Sequence, residues 1–109
     1  MDETLLRTLL FDFYGELLTD KQRECYDLHY NSDLSLQEIA EQYGATRQAV
    51  WDLIRRGERS LREYEARTGL VARALRRREK LSELRELVST LGESPARNRM
   101  LALLDELAD

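Results

Sequence analysis

Ser35-Leu36-Gln37-Glu38-Ile39-Ala40-Glu41-Gln42-Tyr43-Gly44-Ala45-Thr46-Arg47-Gln48-Ala49-Val50 is the stretch that decides the fold of this chain. Ser35 and Glu38 have the spacing of a capping box, in which the serine bonds the backbone three residues on and the glutamate reaches back, so a short helix starts there. Leu36, Ile39, Ala40 and Tyr43 give it an apolar face, and Gly44 stands where a left-handed residue stops it. Thr46 caps the next helix, whose inner face reads Val50, Leu53, Ile54, Gly57, Leu61 and Tyr64. Gly57 inside that helix costs about 1 kcal/mol relative to alanine unless another backbone approaches closely there. A capped helix, a glycine turn and a second capped helix form the pattern of a helix-turn-helix, whose second helix presents its early residues to a nucleic acid.

Upstream, Leu5, Leu6, Leu9, Leu10, Phe13 and Leu17 recur at helical spacing and predict one helix with an apolar stripe. Thr19 caps a second helix, with Asp20 in its first turn, Cys25 and Leu28 facing inward, and an end near Tyr30. Downstream of Thr68-Gly69 a long segment runs to about Thr90, with Ala74, Leu81, Leu84, Val88 and Leu91 near coiled-coil spacing; Arg77 interrupts the seam and Gly92 closes the segment. Ser94-Pro95 then supplies a cap and a first-turn proline for a last helix carrying Met100, Leu103, Leu104 and Leu107. Nothing alternates like a strand. The expected fold is all-α: a helix-turn-helix core with its apolar N-terminal helix over residues 1–67, and a C-terminal helical hairpin over 68–109 that serves packing or dimerisation.

In detail, Leu18-Thr19-Asp20-Lys21-Gln22-Arg23-Glu24, Leu28-His29-Tyr30, Leu36-Gln37-Glu38-Ile39-Ala40, Gly44 and Val50 resemble region 4 of bacterial sigma factors. With Phe11-Asp12-Phe13-Tyr14-Gly15 ahead and Thr46-Arg47-Gln48-Ala49-Val50-Trp51-Asp52 within, nearly the whole chain resembles the YlxM family, most weakly after Arg78. The resemblance implies a sigma region 4-like fold and an accessory or regulatory role in the signal recognition particle pathway, with the particle's RNA or its GTPase as partner. A sigma factor proper also needs a domain for the promoter's −10 element, for which 109 residues leave no room.

The net charge of −4 hides an asymmetry: residues 45–80 carry eleven bases against five acids, while both flanks are acidic. Only the middle attracts a polyanion, although Arg and Glu in long helices also serve simply to solvate them. With Val50, Leu53 and Ile54 inside, helical geometry puts Arg47, Gln48, Trp51, Asp52 and Arg55 on the outer face. Arg47 and Gln48 suit base edges, guanine and adenine respectively. Arg55, Arg56, Arg59 and Arg62 suit phosphates, and Thr46 with the helix N-terminus offers backbone donors to an anion. The alternative use of these arginines is pairing with Asp52, Glu58 and Glu63 at three or four residues' distance. Asp52 in the reading face repels duplex phosphate unless it accepts from a cytosine amine or neutralises Arg55 or Arg56. Trp51 is bulky for a major groove; it suits stacking on unpaired bases, an anchor in a protein interface, or cover for its own core. A second basic surface, Arg73, Arg76, Arg77, Arg78 and Lys80, points around its helix axis, either toward a phosphate backbone or acidic helix or simply into solvent.

Catalytic signatures are missing. His29 is the only histidine and Cys25, four residues before it, the only cysteine; a thiolate pair is conceivable there, but a core thiol and a surface imidazole is the expectation. One Cys and one His complete no zinc set, and no phosphate loop or dinucleotide motif occurs, so neither metal nor cofactor is expected. No apolar run approaches the roughly 18 residues of a membrane span, and the acidic start Met1-Asp2-Glu3 is unlike a signal peptide, which together predict a cytoplasmic protein. The sequence therefore reads as a non-enzymatic nucleic-acid-binding accessory protein, with two alternatives: an interaction adaptor that retains the helix-turn-helix, and a DNA-binding transcriptional regulator. The short seam also allows a homodimer.

Overall fold

The computed structural model describes residues 2–108; Met1, of the acidic start, and Asp109 lie outside the described residues. Among the described residues six α-helices follow in order, α1 (Glu3–Tyr14), α2 (Asp20–Tyr30), α3 (Leu36–Tyr43), α4 (Arg47–Thr68), α5 (Leu70–Ser89) and α6 (Pro95–Leu107), with a 3-10 turn at Gly15–Leu17. No strand occurs among the described residues.

Local chemistry sets the helix starts. Thr19 and Gln22 form a full capping box, each side chain bonding the other's backbone N–H at 3.2 Å. Ser35 and Glu38 do the same at 3.1 Å. Thr46 Oγ1 accepts from Ala49 N at 3.1 Å, and Ser94 Oγ from Arg97 N at 3.0 Å, ahead of Pro95. Each interaction satisfies an N–H that the helix itself leaves open. Gly44 ends α3 in the left-handed region, φ +62°, and the Ala45 N–H reaches back to the Ala40 carbonyl at 2.9 Å. Gly69 ends α4 at φ +65°. Gly92 has no such role: α5 stops at Ser89, and the Thr90 and Leu91 N–H groups bond back to Leu87 and Val88.

The chain divides into two compact units, residues 1–71 and 72–109. In the first, α4 is the strut against which α1, α2 and α3 pack. Of its expected inner face, Val50, Ile54, Gly57 and Leu61 are buried, together with Leu10, Leu18, Cys25, Ile39 and Ala40 of the other helices and turn, while Leu53 and Tyr64 are half-buried. Burying aliphatic side chains of this size is worth about 2 kcal/mol each. At Gly57 the neighbours are side chains rather than another backbone: an added Cβ meets Leu18 Cδ1 at 3.6 Å, Gln22 Cβ at 3.7 Å and Tyr26 Cδ2 at 3.9 Å, all ordinary contact distances.

The expected stripe of α1 needs correction. Leu9, Leu10 and Tyr14 are buried, whereas Leu5, Phe13 and Leu17 are exposed. The helix stops at Tyr14, so the tighter turn that follows carries Leu17 off the line and hands its place to Leu18. In the last turn Tyr14 faces inward, and Phe13 flanks its ring at 6.2 Å. An aromatic cluster completes the unit: Phe11 stacks on Tyr26 (5.2 Å, 4°), Tyr26 meets Tyr30 at 4.8 Å, and the Arg7 guanidinium lies 4.2 Å from the Tyr30 ring centre. Tyr26 is 1% exposed, and burial pushes its phenol far above the ordinary value. At the surface, Tyr43 donates to Glu24 Oε2 at 2.7 Å, and that carboxylate pushes the phenol up to about 12.

In the second unit the Ala72–Ser89 portion of α5 and α6 run antiparallel, tied by an Arg85–Asp105 ion pair and by Arg77 donating to the Leu107 carbonyl at 3.4 Å. Only Val88 and Leu104 of the expected apolar positions are buried; Leu84, Leu91, Met100, Leu103 and Leu107 are exposed. Two helices share one line of contact, and apolar positions that wind away from that line find nothing within the pair to cover them.

Candidate nucleic-acid interface

The turn at Gly44–Thr46 presents the amino end of α4, and everything expected of a reading helix starts there. Thr46 spends its hydroxyl oxygen on the Ala49 N–H, leaving the Arg47 and Gln48 N–H groups at the open end of the helix. Arg47, Gln48, Asp52, Arg55, Arg56, Arg59 and Arg62 are all exposed, with Gln48, Asp52, Arg55, Arg56 and Arg59 on the arc opposite Val50, Ile54 and Leu61 and Arg47 at the amino end of the helix. Among the described residues, Arg47, Arg55, Arg56 and Arg59 make no ion pair, so four cations along the outer side of α4 are uncommitted.

Arg62 differs from them. Its guanidinium pairs with Glu3 of α1 and, one turn back on α4, with Glu58. The pairing at four residues' spacing is therefore realised at this arginine and not at its neighbours. Asp52 takes neither of the arginine partners considered for it: Gln48 Nε2 donates to its Oδ1 at 3.3 Å. Because a carboxylate only accepts, that bond fixes the Gln48 amide with its nitrogen toward Asp52 and its carbonyl oxygen free.

Trp51 is half-buried. It meets the His29 ring edge-on, with centroids 6.3 Å apart and planes at 76°. His29 Nδ1 lies 2.8 Å from the Leu34 carbonyl oxygen, which can only accept, so Nδ1 carries a hydrogen and the ring is locked against the α2–α3 loop. Between them, His29, Leu36, Arg47, Gln48 and Trp51 line an open cleft of about 600 Å³. His29 and Leu36 are the residues that sequence reading did not assign to this surface. The signal available was the T-shaped approach of two rings from different helices, which no spacing within one helix reveals.

Arg73, Arg76, Arg77, Arg78 and Lys80 lie on α5 in the second unit. Arg77 is engaged with Leu107, while Arg76, Arg78 and Lys80 are exposed. Cys25 is 1% exposed and burial pushes its thiol up, while His29 sits against Trp51. No group of three or more His, Cys, Asp or Glu residues that could hold a metal occurs among the described residues. No described helix is long and apolar enough to cross a membrane.

Comparison with known families matches residues 1–100 to UPF0122, helix-turn-helix proteins described as YlxM / p13 like. The UPF0122 protein of Halalkalibacterium halodurans is 45% identical over 98% of this chain and 95% of its own length. That of Symbiobacterium thermophilum is 50% identical over 90% of this chain and 92% of its own. That of Geobacillus kaustophilus is 43% identical, with 98% of each chain covered.

Proposed function

This chain belongs to the UPF0122 family of YlxM / p13 like helix-turn-helix proteins, and from that premise we propose that it is a non-enzymatic nucleic-acid-binding regulator acting in the cytoplasm. The observation that carries the reading is the row of uncommitted arginines, Arg47, Arg55, Arg56 and Arg59, on the outer side of the second helix of the motif. Phosphate contacts from such a row supply affinity and register, and the side chains at the helix start supply selectivity. Thr46, Gln48, Trp51 and Asp52 complete this proposed surface, with Arg62 at its edge. Arg73, Arg76, Arg78 and Lys80 form a second, auxiliary basic surface.

The finer form of the proposal is an accessory role in the signal recognition particle pathway, with the particle's RNA as ligand. The test is a titration of fluorescently labelled particle RNA at two salt concentrations, with unrelated RNA and duplex DNA as competitors. Four arginine–phosphate contacts make affinity fall with about the third power of salt. Reversing the charge of Arg47, Arg55 and Arg59 together abolishes the binding. Intact binding by that triple variant overturns the assigned surface, and no binding at low salt overturns the nucleic-acid reading.

A second reading, an interaction adaptor, is favoured by the exposed Leu84, Leu87, Leu91, Met100 and Leu103 of the second unit, which we propose as a packing or dimerisation extension. It requires a protein partner such as the particle's GTPase, or a second copy of this chain. Mass in solution at micromolar concentration tests the homodimer, and a strictly monomeric protein overturns it.

A further inference from the structure

We propose that the cleft between the end of α2 and the start of α4 is a pocket for one unpaired nucleobase that carries an exocyclic amine, with adenine or cytosine accepted and uracil rejected. The inference rests on the nucleic-acid reading above and names the ligand class of its least conventional part. Three features converge. The first is an aromatic floor: Trp51 is half-buried, and His29, itself bonded to the Leu34 carbonyl, holds it edge-on. Its indole is thus a fixed surface rather than a swinging side chain, which is what makes stacking on a base worthwhile. The second is a cation at the rim: Arg47, uncommitted, is placed for the phosphate that accompanies a base lying on Trp51. The third is an acceptor at the wall. The Gln48 amide nitrogen is engaged by Asp52 Oδ1, which lies outside the cleft lining, so what Gln48 offers an incoming base is its amide oxygen.

That acceptor attracts an amine and opposes a carbonyl. An amine at cytosine C4 or adenine C6 satisfies it, whereas the uracil O4 carbonyl leaves it unpaired. The same arrangement gives Asp52 a role, that of fixing the Gln48 amide. The cleft volume of about 600 Å³ is in the usual range for small-ligand pockets. A paired base does not fit this chemistry, since its Watson–Crick edge is already occupied and its face is stacked within the duplex.

Trp51 is the only tryptophan, so its fluorescence reports the pocket alone. The experiment titrates the full chain with equal-length oligoadenylate, oligocytidylate, oligouridylate and an RNA duplex, following both Trp51 emission and the anisotropy of an end-labelled strand. Oligoadenylate and oligocytidylate should quench Trp51 and bind about tenfold more tightly than oligouridylate, while the duplex binds without quenching. Gln48→Leu should reduce the adenylate-to-uridylate ratio to near one with its circular dichroism unchanged, and Arg47→Ala should weaken every strand alike. Anisotropy binding without Trp51 quenching, or quenching equal for all three homopolymers, overturns the pocket and leaves the arginine surface standing. Silence in both signals overturns the pocket together with the nucleic-acid reading on which it rests.

Discussion

Tyr14 at the end of α1 donates its phenolic proton to Glu65 of α4 at 2.6 Å, and the same carboxylate oxygen accepts the backbone N–H of Val71 at 2.9 Å. The Tyr14 oxygen also lies in hydrogen-bond contact with Thr68 Oγ1. Burial first, and then the Glu65 carboxylate, raise the Tyr14 phenol above its ordinary value, so it stays a donor throughout the physiological range. Tyr14→Phe should therefore cost about 1 to 2 kcal/mol, read as a lower urea midpoint, because it strips Glu65 of a buried partner while changing little volume. An unchanged midpoint would show that water replaces the phenol at no cost.

Gly57→Ala should raise stability by about 0.5 to 1 kcal/mol. The added methyl finds only side-chain atoms at ordinary contact distances, so the helix gains propensity and packing at once. Chemical denaturation decides the sign, and a destabilised variant would mean that α2 and α4 cannot yield even a few tenths of an ångström at their crossing.

The Ser35–Glu38 box makes a pH prediction. Hydrogen bonds from the Ser35 backbone, and then from its side chain, hold the Glu38 carboxyl below its ordinary value of 4.5. A depressed native value means the contribution is complete above the unfolded value and lost as pH falls through the native one. Glu38→Gln keeps a bonding partner for Ser35 but removes the proton site. Its stability should decline less than that of the wild type between about pH 5 and pH 3. Parallel declines in the two proteins would show that the carboxylate gains nothing from the box.

Arg62 and its neighbours should separate in one experiment. Arg55→Ala and Arg59→Ala should each lower the salt exponent of RNA binding by about 0.7. Arg62→Ala should leave it unchanged, since that side chain is held by Glu3 and Glu58, and should instead cost under about 1 kcal/mol of stability, as expected for a half-exposed pair. Equal salt effects at all three positions would mean that nucleic acid displaces the Glu3 pair.

What the sequence disclosed was whatever is written within a few residues. The caps at Thr19, Ser35, Thr46 and Ser94 and the left-handed stop at Gly44 are short-range patterns read at the right residues, and so is the inner face of α4 at Val50, Ile54, Gly57 and Leu61, though Leu53 and Tyr64 are only half-buried. The misreadings share one cause, a dependence on partners distant along the chain. Leu17 was placed inward by continuing a period through a turn that ends it, and Phe13, Leu84, Leu91 and Met100 by supposing a cover that their own units do not provide. Tyr26, the largest fully buried side chain, passed unnoticed because its stacking partner Phe11 lies on another helix. For the candidate interface, the exposed residues of α4 follow from its period, but the Gln48–Asp52 bond and the place of His29 beside Trp51 are side-chain geometry that a spacing rule leaves open.

Four of the six helices are started by a Thr or Ser that binds a backbone N–H three residues ahead, which makes every such start a transaction between near neighbours. The order of events during folding follows from this. Nuclei for α2, α3, α4 and α6 close over loops of a few residues, in times on the scale of microseconds, before any distant part of the chain has been found. What remains for the first unit is the search that brings already-turning segments onto α4, with Tyr14 meeting Glu65 across 51 residues as one of its longest closures. A chain emerging from the ribosome can therefore assemble α2 and α3 as they appear, yet must wait for α4 before either has a surface to settle on.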